Sequence, residues 1–294
     1  MTEAAQRLLE LLDIERIETD MFRGFVELQP GRTRIFGGHV IAQALMAAYR
    51  TVPDRACHSL HAYFIRPGDP ALPVLYLVDR ARDGGSFTTR RVVAIQHGRQ
   101  ILNMSASFQI KEQGWDYQHP MPAIDGPENH ADQAGMRAIH ADRVPERVRP
   151  EFLRERPFDM REVDPRDPVD PARADDRHSV WIRMQAAAGQ PPEMQHCLLA
   201  YASDASLLGS SLRPHGLTWV KGDVMMASLD HAMWFHAPIR FEDWHLYSMD
   251  APFTGGARGF NRGMIFDRNG TLVASVAQEG LVRPVTRRDE LHKS

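Results

Sequence analysis

Within residues 3–17, the apolar positions Leu8, Leu9, Leu11, Leu12 and Ile14 follow the spacing of one helical face. Residues 21–28 fit a short strand. A different texture opens at Gly37-Gly38. From His39 to Ala48 the chain is Ala-rich, uncharged and apolar nearly all round. A helix of that kind is buried on most sides rather than laid on a surface. After Pro53, residues 58–65, 72–79, 86–96 and 101–110 alternate in part and are separated by Gly-Asp, Gly-Gly and His-Gly pairs. That pattern predicts antiparallel strands. Beyond residue 178 the same sequence of textures returns. Residues 180–183 predict a strand, residues 195–204 a second mostly apolar helix, and residues 217–236, 244–251, 257–267 and 271–284 further strands.

Between the two patterned regions the chain changes character. Of the 42 residues 137–178, 21 are Asp, Glu or Arg, six are Pro and none is Lys. Such a stretch has little to bury and is expected to be a surface connection with one or two short helices. The expected division is an N-terminal unit 1–114, a connection 115–178 and a C-terminal unit 179–294.

The two patterned regions superimpose as a repeat. His58-Ser59-Leu60-His61-Ala62-Tyr63-Phe64 lies against Ser228-Leu229-Asp230-His231-Ala232-Met233-Trp234 at an offset of 170. Gly84-Gly85 against Gly255-Gly256, Arg91 against Arg262, and Ile101-Leu102 against Leu272-Val273 share an offset of 171. Each half reads strand, buried helix, then four strands. A sheet of five or six antiparallel strands has one apolar face to cover, and a single nearly all-apolar helix in its concavity covers it. The expected fold class is therefore α+β, a double hotdog: two antiparallel sheets, each wrapped around a central helix, whose edges can pair into one continuous sheet.

Composition narrows the classes. The 294 residues carry 35 Lys plus Arg against 38 Asp plus Glu, a net charge of −3. That balance gives no electrostatic case for a nucleic-acid partner. The longest uncharged run, 35–49, is shorter than the about 20 apolar residues of a membrane-spanning helix, so integral membrane association is not expected. Met1-Thr2-Glu3-Ala4-Ala5 lacks the basic and apolar regions of a secretory signal. Leu291-His292-Lys293-Ser294 is not the Ser-Lys-Leu peroxisomal address. Two cysteines, Cys57 and Cys197, exclude a disulfide scaffold and fit a reducing compartment. A cytoplasmic setting is expected. No nucleophile elbow, P-loop, dinucleotide fingerprint or paired-His zinc motif appears, so no metal and no cofactor is expected.

Four segments carry a resemblance: Phe36-Gly37-Gly38-His39-Val40-Ile41-Ala42-Gln43-Ala44-Leu45; His58-Ser59-Leu60-His61-Ala62-Tyr63-Phe64-Ile65-Arg66-Pro67-Gly68-Asp69; Ser228-Leu229-Asp230-His231-Ala232-Met233-Trp234-Phe235-His236; and Ala277-Gln278-Glu279-Gly280-Leu281-Val282-Arg283. Together they resemble the acyl-CoA thioesterase II family of double-hotdog hydrolases. The resemblance runs from about residue 3 to about residue 284 and is weakest across 115–178. It implies hydrolysis of fatty acyl-CoA thioesters, with acyl-CoA as substrate and a homo-oligomer, dimer or tetramer, as the assembly. It also implies a carboxylate, a hydroxyl and an amide around one water. Asp204 matches the aspartate and Gln278 the glutamine; Ser228 stands where the best-known members have threonine. Serine keeps the hydroxyl but loses the methyl group and the stiff χ1.

Thioester hydrolysis needs a water activated near neutral pH. A pocketed carboxylate can take its proton, and burial raises the carboxylate's pKa toward the working range. Asp204 ends an otherwise apolar helix, where the helix dipole disfavours a carboxylate. At the registers of Ser228 and Gln278 the first half carries His58 and Ser107, so one complete site per chain is expected. His58, Arg258 and Arg262 are candidates for binding substrate, the arginines through the phosphates of coenzyme A. Glu279 alternates to the other face from Gln278 and is expected to partner an arginine. His61 and His231, at matched repeat positions, are expected to be structural. Two other readings remain open: a hotdog enoyl-CoA hydratase using Asp230-His231, and a non-catalytic acyl-CoA-binding protein.

Overall fold

The computed structural model describes residues 2–28 and 33–285. The extreme C-terminal residues 291–294 lie outside the described residues. Helix α1 (Glu3–Leu12) starts where Thr2 Oγ1 accepts the Ala5 N–H at 3.2 Å, and it buries Ala5, Leu8, Leu9 and Leu12. It stops at Asp13, short of residue 17. Strands β1 (Glu15–Glu18) and β2 (Met21–Gly24) follow. Helix α2 (Gly37–Tyr49) is buried from Gly38 to Ala48, as its uncharged sequence requires. Its one amide, Gln43, is fully satisfied: Nε2 donates to Leu11 O and Phe25 O, and Oε1 accepts from Tyr76 Oη. Strands β3 (Ala56–Phe64), β4 (Val74–Asp83), β5 (Phe87–Gln96) and β6 (Arg99–Gln109) complete the first half.

The second half repeats the order. Strands β7 (Asp159–Glu162) and β8 (His178–Arg183) precede helix α5 (Pro192–Ser203). After it come β9 (Val224–Ser228), β10 (Asp230–Phe235), β11 (His245–Gly255), β12 (Arg258–Asp267) and β13 (Leu272–Pro284). The strands form one antiparallel sheet, ordered β1-β2-β4-β5-β6-β3-β10-β13-β12-β11-β8-β7, with β9 on β13. The halves join where β3 pairs β10, with Ala62 opposite His231 and Leu60 opposite Met233. The two helices lie side by side and antiparallel: Gly38 meets the α5 C-terminus, and Tyr49 meets His196 near its start.

The faces of the strands correct the repeat register. On β3, Leu60 and Ala62 are buried; on β10, His231 and Met233 are. An offset of 171 matches those faces, whereas 170 would exchange them, because a one-residue slip turns every side chain over. His61 and His231 are therefore not equivalent. His61 lies exposed against the edge of Trp234, while His231 is buried with Nε2 2.9 Å from Ser203 Oγ. The counterpart of Ser228 is Cys57, and His58 occupies the bulge between Cys57 and Ser59, as Leu229 occupies the break between β9 and β10.

Two features depart from the expected pattern. The first half passes from helix to strand through residues 50–55, but the second uses residues 204–223, including a 3₁₀ stretch Leu207–His215. Residues 217–223 therefore belong to this insertion and not to a strand, with Gly216 and Gly222 at φ of +64° and +74° turning the chain. The charged connection, in turn, is more than a tether. It carries helices α3 (Gln133–His140) and α4 (Arg149–Leu153) and edge strand β7, and its Val144 and Phe152 form a small core with Val220 of the insertion. Its charges are matched by partners distant in sequence: Arg143 to Asp167, Arg183 to Asp159, Arg213 to Asp164, and Arg268 to Glu128.

Candidate active site

The C-terminal end of α5 runs directly at the N-terminal end of α2, and glycine makes that approach possible. A Cβ on Gly38 would sit 2.5 Å from Tyr201 O, and one on Gly37 would sit 2.8 Å from both Asp204 Oδ2 and Phe64 Cζ. Asp204 is the residue that ends α5. With the glycines in place, the Gly38 N–H donates to Asp204 Oδ2 at 2.8 Å. The unfavourable dipole of the carboxylate's own helix is thus opposed by the favourable end of the other.

Two side chains from β9 and β13 complete the arrangement. Gln278 Nε2 donates to Asp204 Oδ1 at 2.6 Å, and Ser228 Oγ donates to the same oxygen at 3.2 Å. Strand alternation turns Gln278 inward, fully buried, and Glu279 outward, where it takes the Arg258 Nε–H at 2.9 Å. Because Asp204 accepts, Gln278 must present its NH₂ group to it. Its Oε1 then has no hydrogen-bond partner among the described residues. Burial pushes Asp204 up from 3.8 to about 6, against the pull of the Gln278, Gly38 and Ser228 donors, which favour the carboxylate. Desolvation outweighs the three donors.

Asp204 and Ser228 open onto a cavity of about 850 Å³. One wall is formed by Phe36, Gly37, Val40 and Phe64, and the insertion contributes Leu208 and Leu212 to another. The connection lines it as well, with Met136 and Phe152 among its contributions. The segment with the least apparent structure in the sequence therefore shapes the site.

The structure brings together Asp204, Ser228 and Gln278; Asp204 and Ser228 line the cavity, and Gln278, fully buried, stands behind Asp204 without lining it. His58, Arg258 and Arg262 do not line this cavity. His58 Nε2 lies 2.8 Å from Ser107 Oγ, and its ring meets the edge of Phe87. Arg258 is held by Glu279, and Arg262 by Asp250, its direct cross-strand partner, at 2.6 Å. Both pairs lie at the solvent surface, where cross-strand charge pairing is the ordinary fate of an arginine. What the sequence reading missed is the Gly38 N–H. Its signal was present, a Gly-Gly pair opening an uncharged helix, but only the antiparallel helix pairing shows what those glycines approach. Among the described residues, no group of three or more His, Cys, Asp or Glu side chains is arranged to hold a metal ion.

Comparison with known proteins agrees with this geometry. Residues 149–281 match the family profile described as acyl-CoA thioesterase, and residues 27–109 match the acyl-CoA thioesterase N-terminal domain. The chain is 37% identical to acyl-CoA thioesterase 2 of Haemophilus influenzae over 96% of its own length and 99% of that protein's. It is 38% identical to human acyl-coenzyme A thioesterase 8, over 93% of this chain and 88% of that one. Among solved structures, an acyl-CoA thioesterase II from Mycobacterium marinum superimposes with a TM-score of 0.76 at 38% identity, covering 96% of this chain and 98% of the other. A hotdog-fold protein from Alicyclobacillus acidocaldarius, at 17% identity and a TM-score of 0.75 over 95% of this chain and 99% of that one, shares the fold. With the buried carboxylate, the two-helix approach and the double-hotdog sheet in place, these matches show that the chain belongs to the acyl-CoA thioesterase II family.

Proposed function

We propose that this acyl-CoA thioesterase activates its hydrolytic water with Asp204, Ser228 and Gln278. The observation that carries the reading is the pairing of a buried carboxylate whose pKa is pushed to about 6 with a buried, unpartnered carbonyl oxygen on its neighbour Gln278. A water between them donates one hydrogen to Gln278 Oε1 and the other to Asp204. Its oxygen adds to the acyl carbonyl carbon as Asp204 takes the proton. The tetrahedral intermediate then collapses, the carbon–sulfur bond breaks, and the leaving thiolate takes the proton back. The products are a free fatty acid and coenzyme A. The N-terminal end of α2 at Gly37 faces the same cavity and offers its positive end where the oxyanion develops. Ser228 orients the carboxylate and is not itself acylated. An intact-mass measurement during turnover is expected to find no acyl adduct; an adduct on Ser228 overturns the direct attack by water.

The hydratase reading needs a His–Asp pair facing the acyl chain. Asp230 instead accepts the Glu279 N–H at 2.6 Å and His231 faces Ser203, so the two do not pair with each other. Tight acyl-CoA binding without thiol release would favour a binding protein over an enzyme. We also read the chain as two hotdog units, 1–114 and 179–294, joined by the connection 115–178. We expect it to act in the cytoplasm as a dimer or tetramer. Among the described residues, no helix is long and apolar enough to cross a membrane.

A further inference from the structure

Coenzyme A brings phosphate groups that the catalytic trio does not address, and the two surface arginines first considered for them are held in ion pairs. Among the described residues, five arginines line the cavity itself: Arg34, Arg66, Arg137, Arg166 and Arg213. Arg213 is buried and paired with Asp164, and Arg137 lies over the Phe152 ring. Arg166 is half-buried and donates to the carbonyls of Ala172 and Arg213. Only Arg34 and Arg66 are exposed.

Their backbone segments are joined by a hydrogen bond. The Ile35 N–H donates to Gly68 O at 2.9 Å, so segment 33–36 runs along segment 66–68. Gly68 permits that contact, since a Cβ there would lie 2.8 Å from Ile35 Cδ1. Both segments lead straight to the candidate site: Arg34 precedes Gly37 by three residues, and Arg66 follows Phe64, the ring beside Gly37, by two. Three extended residues span about 10 Å, and the arginine side chain reaches further still. Both arginines therefore line the cavity wall on segments that lead away from Asp204, as the phosphates of coenzyme A lie beyond the extended arm that ends in its sulfur. Among the described residues each guanidinium is steadied by one backbone carbonyl, Arg34 by Met226 O at 2.8 Å and Arg66 by Gln100 O at 2.9 Å. Neither has a carboxylate partner among the described residues, and a guanidinium carries five donors. Most of them remain available to an anion.

We propose that Arg34 and Arg66 form the clamp that holds the phosphate groups of the coenzyme A portion of the substrate, an inference that rests on this cavity being the acyl-CoA site. The test compares acyl-CoA with the matching acyl-pantetheine, which has the same thioester and arm but no nucleotide. For Arg34→Ala and Arg66→Ala, the ratio of kcat/KM for acyl-CoA over acyl-pantetheine is expected to fall about tenfold or more each, from the loss of charged hydrogen bonds. The change should fall in KM, and Arg→Lys should restore part of it through the retained charge. An unchanged ratio with both arginines removed overturns the clamp. A second variant tests the siting separately. Gly209 lines the cavity, and a Cβ there meets nothing within 4 Å, so Gly209→Trp introduces a large side chain at the cavity wall from an unobstructed Cβ. It is expected to stop turnover of both thioesters. Undiminished turnover of both overturns the cavity as the substrate site and the clamp with it.

Discussion

Replacing Asp204 with asparagine should make the protein more stable and nearly inactive at the same time. Asp204 is 9% exposed, and its folded pKa is about 6 against an ordinary value of 3.8. Above pH 6 the folded protein must hold a carboxylate that burial disfavours, whereas the unfolded chain ionises freely. The rise corresponds to about 3 kcal/mol of lost stability, fully present above pH 6 and absent below about pH 4. Asparagine has the same shape. Its Oδ1 can still accept the Gly38 N–H, and its NH₂ can donate to Gln278 once that amide turns its unpartnered Oε1 inward. No buried charge remains. For a chain of this length, about 3 kcal/mol corresponds to a Tm increase of about 5 °C. The stability difference between Asp204→Asn and the parent should therefore grow as pH rises from 4 to 6 and stay flat above. Loss of the general base should lower thiol release by about 10²–10⁴. The assays are thermal melts across pH 4–8 and a thiol-trapping assay with a fatty acyl-CoA. A variant that is less stable at pH 8 than the parent, or that retains full turnover, refutes the account of Asp204 as a strained, functional carboxylate.

The pH profile of kcat/KM should fall tenfold per pH unit below about 6, as the folded Asp204 becomes protonated, and level off above; an inflection near 4 in steady-state assays would contradict the buried base. Ser228→Ala removes one of the donors that hold the Asp204 pKa down, so its inflection should move to higher pH and its turnover fall about tenfold or more, with Ser228→Thr close to the parent in the same profile. Gly38→Ala drives a Cβ to 2.5 Å from the backbone carbonyl of Tyr201, which cannot swing aside. It should cost about 1–3 kcal/mol in urea unfolding and separate α2 from Asp204 with loss of activity.

The fold was legible because its two helices are unlike ordinary surface helices. An apolar face all the way round, in 37–49 and again in 192–203, has to be enclosed, and the alternating strands around each supply the enclosure. The trio at the site was legible only through whole motifs, since a lone Asp at a helix end or a lone Gln in a strand carries no signature. The connection was not legible. Half of residues 137–178 are Asp, Glu or Arg, and local composition cannot show that partners such as Asp164 for Arg213 lie some fifty residues away. With those charges paired, Val144 and Phe152 pack with Val220 of the insertion, and Phe152 lines the cavity. The surface arginines show a related limit of local composition. The segment 255–263 shows Arg262 but not that Asp250, opposite it on the neighbouring strand, is its partner.

Why a duplicated fold should have its polar trio at one end only also follows from the helix pair. At the Asp204 end, α2 begins with Gly37-Gly38, so its backbone can approach and donate. At the opposite end, α5 begins with Pro191 before Pro192, and proline has no N–H to offer a carboxylate. There Tyr49 fills the junction: its hydroxyl contacts His196 Nδ1 and accepts the Cys57 N–H at 2.9 Å. Cys57 is the counterpart of Ser228, and Ser107, the counterpart of Gln278, is bonded to His58. The first half also lacks the long insertion, so nothing there matches the wall that Leu208 and Leu212 give the cavity. Filling one pseudo-equivalent junction with an aromatic side chain rather than leaving a second buried carboxylate avoids a further desolvation cost of the kind Asp204 imposes.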